Sequence, residues 1–160
     1  MYYGYYMSKA YDLALRAFEA GEAPIGCVVV TNGGIVGAGY NMRNTKKNAL
    51  YHAELIAINE ACRAAGDWRL EDASVFVTIE PCPMCAGAIV QARVKEVAFG
   101  ADNKKAGCGG SVLNLFDTAG FNHRVNVVRG VMEEECSALM SLFFSHLREK
   151  QAKPDTDAEY

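Results

Sequence analysis

Two short stretches hold residue types whose spacing can do chemistry: His52-Ala53-Glu54, and Glu80-Pro81-Cys82-Pro83-Met84-Cys85. Proline suits the first position of a helix because it has no N–H to leave unpaired, so Pro83 puts Cys82 at or near the N-cap. Cys85, three residues on, returns to the same side of the first turn. Both sulfurs then lie at the positive end of a helix dipole, which favours thiolate over thiol. Two neighbouring thiolates favour a soft or borderline cation, most commonly zinc. A lone Cys-x-x-Cys is also the pattern of a thioredoxin-like redox pair, or of two buried structural cysteines.

His52, at the start of a helical stretch, can be a capping or core residue. It becomes a third ligand if its junction and that of the cysteines share one edge of a sheet, at the carboxyl ends of strands. One His and two Cys leave a fourth position for water, the arrangement of a catalytic zinc. Glu54 lies about 200° around a straight helix from His52, so the two are not ideal ligands together unless the first turn is irregular. Beside an activated water, a carboxylate would carry protons. The plainer alternative is a first-turn glutamate that offsets the helix dipole.

The elements that must position these residues can be read from hydrophobic periodicity. Ser8 to Ala20 is an amphipathic helix with Ala10, Leu13, Ala14, Ala17 and Phe18 on one face, stopped by Gly21. Ile25 to Thr31 is a buried strand, and Asn32-Gly33-Gly34 supplies positive-φ residues for a tight turn into a second strand, Ile35 to Asn41. His52 to Ala65 is helical, with Leu55, Ile58 and Cys62 on one side and Gly66 as cap. Ser74 to Ile79 is a strand and Pro83 to Ala92 a short apolar helix. Lys95 to Gly100 and Val125 to Val128 complete the strands. The last helix, Glu133 to Arg148, turns Cys136, Leu139, Met140, Phe143, Phe144 and Leu147 inward, with acidic residues at its start and basic ones at its end. Gly107 to Asn122 is loop or short helix. A hairpin followed by alternating helix and strand predicts an α/β fold: three α-β-α layers around a mixed five-stranded sheet.

The chain has 160 residues, 51% hydrophobic and 22% charged. Those proportions exclude a disordered, collagen-like or purely acidic chain. Residues 1–150 are expected to form one domain, with 151–160 a flexible tail. No apolar run is long enough to cross a bilayer, and the start lacks the pattern of a secretory signal, so a cytoplasmic protein with reduced cysteines is expected. The net charge of −3 gives no long-range attraction to nucleic acid. Any such contact must therefore be local, at Arg43, Lys46 and Lys47; Lys104 and Lys105; His123 and Arg124; or Arg148, Lys150 and Lys153, each of which can also be ordinary solvated charge. Five of the eight tyrosines lie in the first eleven residues, as a packed extension or a self-association surface.

The sequence resembles the cytidine/deoxycytidylate deaminase superfamily, most closely its bacterial tRNA adenosine deaminase branch. The His-x-Glu and Pro-Cys-x-x-Cys signature is that of the zinc deaminases. The likeness extends through Pro24-Ile25-Gly26, Gly39-Tyr40-Asn41, Trp68-Arg69-Leu70, Glu80 to Ile89, Phe99-Gly100-Ala101, Gly110-Ser111, Asn122-His123-Arg124-Val125 and Glu135-Cys136. The Asn-His-Arg-Val run and the Phe143-Phe144 pair resemble the tRNA branch in particular.

The resemblance implies a cytidine-deaminase-like fold, one Zn2+ per subunit on His52, Cys82 and Cys85, and Glu54 as proton shuttle. It implies hydrolysis of adenosine to inosine at the wobble position of a tRNA anticodon, by a homodimer that contacts the stem-loop with both subunits. Asn41, the backbone of Ala53, Pro24, Asn103 and Phe144 are the implied substrate contacts, and core packing is the alternative for Phe143 and Phe144. Tyr51, Cys27 and Asn103 depart from the residues frequent in the family, a carboxylate being frequent at the place of Asn103. Pro83 also occurs in the guanine-deaminase branch. Two other functions remain open: deamination of a free base or nucleoside such as guanine, and a non-catalytic zinc module with His123, Cys108 or His146 as fourth ligand.

Overall fold

Strand residues that alternate between two apolar neighbourhoods decide the architecture. In the computed structural model, which describes residues 2–152, β1 (Gly26–Thr31) pairs with β2 (Gly34–Tyr40) through a hairpin. Asn32 and Gly33 take the positive φ values, 51° and 77°, that such a turn needs. The expected third turn residue, Gly34, instead opens β2. The remaining strands are β3 (Ser74–Ile79), β4 (Glu96–Ala101) and the short β5 (Asn126–Val128). Their order is β2-β1-β3-β4-β5, with β1 antiparallel to both neighbours and β3, β4 and β5 parallel. This is the mixed five-stranded sheet predicted.

Cys27, Val29, Val75, Val77, Val97 and Phe99 face one core, whereas Val28, Val30, Phe76 and Ala98 face the other. Strands buried on both faces read as continuous apolar runs, as these do. The first core is closed by α2 (Ala53–Ala65) and α3 (Pro83–Gln91), the second by α1 (Tyr3–Glu19) and α4 (Glu133–Ala152). Three layers result.

Four further details differ from expectation. Helix α1 starts at Tyr3, five residues before Ser8, because the tyrosines are structural. The Tyr3 hydroxyl donates to the Glu96 carboxylate (3.1 Å), the Tyr6 hydroxyl donates to the Gly33 carbonyl (2.8 Å), and both rings pack on Phe76. Helix α2 buries Ala53, Ala57 and Ala61 with Ile58, and leaves Leu55 and Cys62 only partly covered. A row of alanines lets its backbone approach Gly37 and Gly39 of β2, where any Cβ would collide with α2. Phe143 takes the inward slot of α4 against Phe18, so Phe144, one residue around the helix, is 46% exposed. Helix α4 also continues past Arg148 to Ala152, which takes Gln151 and Ala152 out of the expected tail. The rest of that tail, 153–160, lies outside the described residues.

Candidate active site

Strands β2 and β3 run in the same direction, each antiparallel to β1, so the chain leaves both for a helix at the same edge of the sheet. His52 is the N-cap of α2 (φ −82°, ψ 150°) and Cys82 the N-cap of α3 (φ −72°, ψ 173°). Both have extended backbones, which frees His52 from the helical spacing that would otherwise separate it from Glu54. Neither side chain caps its helix. Pro83 follows Cys82 at the start of α3, and Cys85 returns one turn later to the same side.

The His52 ring nitrogen Nδ1 lies 3.7 Å from Cys82 Sγ and 3.5 Å from Cys85 Sγ. All three donor atoms fall within 4.8 Å of one another. Zinc bonds of about 2.0–2.1 Å to nitrogen and 2.3 Å to sulfur, at tetrahedral angles, set nitrogen and sulfur about 3.5 Å apart. The donor chemistry and the spacing both fit zinc.

Among the described residues no fourth His, Cys, Asp or Glu donor joins the group. The three side chains considered for that place are engaged elsewhere. His123 Nε2 meets the Val94 carbonyl at 2.7 Å, Cys108 Sγ donates to the Ala106 carbonyl, and the His146 ring packs on Phe18.

Charges in the group are strongly mutual. The Cys82 thiol is lowered to about 4, first by its hydrogen bond with Cys85 and then by His52, while the Cys85 thiol is pushed up by Cys82 and by burial. The Cys82 hydrogen bond also raises His52. Glu54 is 4% exposed, and burial pushes its carboxyl up to about 7, with the charge of Cys82 adding to the rise. A carboxyl balanced near neutrality can both accept and donate a proton.

A cavity of about 450 Å³ lies on the same sheet edge but on the α4 side. Ala23, Ile25, Ile79 and Ala101 form its floor, with 102–105 and Phe144 on its walls. None of His52, Glu54, Cys82 or Cys85 lines it. A shallower continuation is bounded by Lys105, Ser141, Phe144 and Arg148.

The residues expected to touch substrate are placed unequally. Phe144 and Asn103 line the cavity, and Phe143 is core. The Asn103 side-chain oxygen accepts the N–H groups of Lys105 and Ala106, so this amide shapes its own loop. Asn41 is buried, with Nδ2 donating to the Ala23 carbonyl (3.4 Å) and Oδ1 accepting from the Arg43 N–H (3.2 Å). Pro24 is buried at the entry to β1. Ala53 is buried, and its carbonyl faces Gly39.

Two buried carboxylates escaped the reading of the sequence. Glu22 accepts from the N–H (2.6 Å) and hydroxyl (2.9 Å) of Thr45. Glu80, 1% exposed, accepts from the N–H groups of Asn103, Gly109 and Ser111 and from the Ser111 hydroxyl. Burial works to raise the Glu80 carboxyl, and these hydrogen bonds, Ser111's foremost, outweigh it and hold it below the ordinary range. A carboxylate directly before Pro-Cys was the only signal for it in the sequence.

Comparisons with known proteins agree with this geometry. The family model described as MafB19-like deaminase matches residues 3–148. The tRNA-specific adenosine deaminase of Bacillus subtilis is 51% identical over 146 residues, covering 91% of each chain. That of Haemophilus influenzae is 40% identical, over 91% of this chain and 84% of its own. A solved structure from work on A-to-I editing by tRNA:A34 deaminases at the wobble position superposes with a TM-score of 0.81 at 35% identity, covering 84% of this chain and 98% of that one. The guanine deaminase of Nitrosomonas europaea has a TM-score of 0.77 at 19% identity, covering 89% of this chain and 84% of its own, and shares the fold. By sequence, by fold and by a shared architecture over nearly its whole length, the chain belongs to the MafB19-like deaminase family.

Proposed function

We propose that this protein hydrolyses adenosine to inosine at the wobble position of a tRNA anticodon, with one Zn2+ per subunit held by His52, Cys82 and Cys85. The carrying observation is the three-donor group at tetrahedral spacing with a buried carboxylate beside it, in a chain 51% identical to a tRNA-specific adenosine deaminase.

Bound zinc would lower the pKa of a water toward about 7 and leave one coordination position for it. Glu54 takes one proton from the water that adds at C6 of the base and delivers it to N1. It then takes the second proton from the hydroxyl now on C6 and passes it to the departing amine, so that water and adenosine become inosine and ammonia. Burial of Glu54 suits both directions of transfer. The base must be reached outside a stacked duplex, and an anticodon loop offers its bases already unpaired. Lys104, Lys105 and Arg148, around the exposed Phe144, supply local positive charge and a stacking face on a chain of net negative charge.

Residues 1–150 act as one deaminase domain in this reading, in the cytoplasm. Asn41, Ala53, Pro24, Asn103 and Phe144 surround the target nucleotide. The same reading includes a homodimer that contacts the stem-loop with both subunits, for which Val112, Leu113 and Phe121 are exposed apolar side chains. No described helix is long and apolar enough to cross a membrane.

The test is incubation with an anticodon stem-loop bearing wobble adenosine, and in parallel with free guanine. The wild type should form inosine, and Glu54→Gln should keep its zinc while losing about 10²–10⁴-fold in rate. Ammonia from guanine without inosine in the stem-loop would replace this reading by the free-base one.

A further inference from the structure

We propose that Glu80 is a positioning residue for the nucleic-acid substrate: its carboxylate holds the 102–111 loop in the shape that walls the cavity at the sheet edge shared with the metal-ligand group. The inference rests on the proposed function and deepens it.

The loop leaves the carboxyl end of β4 and has no helix or strand of its own, only an isolated bridge between Gly109 and Asn114. Its backbone donors need partners all the same. Glu80 supplies them. Oε2 accepts from the Asn103 N–H (2.9 Å) and the Ser111 hydroxyl, and Oε1 accepts from the N–H groups of Gly109 (2.9 Å) and Ser111 (3.0 Å). The chain can come this close only where side chains are missing. A Cβ on Gly109 would sit 2.7 Å from the Phe99 ring, and one on Gly107 would run into the Glu80 carboxyl.

Arg129 closes the loop from outside. Its guanidinium lies over the Phe99 ring and donates to the Gly109 carbonyl (3.1 Å), the Asp102 carboxylate (2.8 Å) and the Ser111 hydroxyl (3.3 Å). The part so fixed carries Asn103, Lys104 and Lys105 into the cavity. Glu80 also stands two residues before Cys82, so one side chain ties the substrate wall to the start of the helix that carries Cys82 and Cys85. It does not line the cavity. Its effect is preorganisation: a loop ordered beforehand need not be ordered by the substrate.

Glu80→Gln tests this, because an amide NH2 must then face N–H donors. The assays are KM and kcat on the stem-loop, zinc content, and hydrogen exchange across 102–112. KM should rise about tenfold or more with kcat within about threefold, zinc retained and exchange faster. Ser111→Ala, a milder change in a partly exposed residue, should shift KM and exchange the same way by about threefold, and decides the matter if Glu80→Gln does not fold. Unchanged KM and exchange, or a fall in kcat at constant KM, or loss of zinc, overturns the proposal. If the wild type forms no inosine, the functional reading falls instead, and exchange alone judges Glu80: faster supports positioning, unchanged refutes it.

Discussion

Replacing Gly39 by alanine should damage the metal-ligand group without touching a ligand. A Cβ on Gly39 would lie 2.6 Å from the Ala53 carbonyl oxygen and 2.8 Å from Ile56 Cβ. Ordinary contact begins near 3.4 Å, so the first turn of α2 must retreat by about 0.8 Å. His52 is the residue directly before that turn, and its Nδ1 now sits 3.5 and 3.7 Å from the two sulfurs. A shift of that size takes the nitrogen out of tetrahedral reach of a cation held by both cysteines. Overpacking of this kind costs about 1–3 kcal/mol of stability. A misplacement near 1 Å at a reacting centre costs about 100-fold in rate. The assays are zinc affinity in competition with a chelator, thermal unfolding, and inosine formation. Gly34→Ala, on the same strand but with only the Thr31 carbonyl at 3.7 Å, should be near neutral in all three. Wild-type zinc affinity and rate in Gly39→Ala would refute the close seating of α2 as the device that places His52.

Three shorter predictions concern the ligands, the thiols and the substrate. Cys82→Ser should lose zinc and thermal stability together, since ligand removal undoes both; a metal-loaded variant of unchanged stability would contradict it. Burial pushes Cys136 up to about 12 from an ordinary value of 9.0. Folding therefore favours the neutral thiol, whose stabilising contribution is complete below the ordinary value and disappears as pH climbs toward 12. Unfolding free energy should fall over that window and fall less in Cys136→Ala, whereas equal slopes would show that the thiol is not responsible. Stem-loop affinity should drop with salt, with a log–log slope of about −2 for three phosphate contacts by Lys104, Lys105 and Arg148; indifference to salt would dissociate those cations from binding.

The three layers and the mixed five-stranded sheet were legible because strands buried on both faces are apolar throughout and the helices between them are periodic. Val75 to Ile79 and Asn32-Gly33 leave little choice. The convergence of His52 with Cys82 and Cys85 was legible too, because Pro83 marks a helix start and parallel-running strands deliver both junctions to one edge. Tyrosine obscured the beginning of α1, since Tyr3 and Tyr6 pack as apolar residues while their hydroxyls bond to Glu96 and Gly33. On α2 the larger Leu55 and Cys62 drew attention from Ala57 and Ala61, yet close approach to glycine selects the smaller side chains. The Glu80 network was hidden for a different reason. Its donors are mostly backbone N–H groups, which every residue except proline carries, so no spacing of side chains announces them.

The account depends most on the three donors sharing one zinc with a position left open. X-ray absorption at the zinc edge on the purified, metal-loaded chain measures this directly. One zinc per chain, with one nitrogen and two sulfurs at about 2.0–2.1 and 2.3 Å and one further light atom, is the predicted result. A third sulfur, a second histidine, or failure to take up zinc would contradict it.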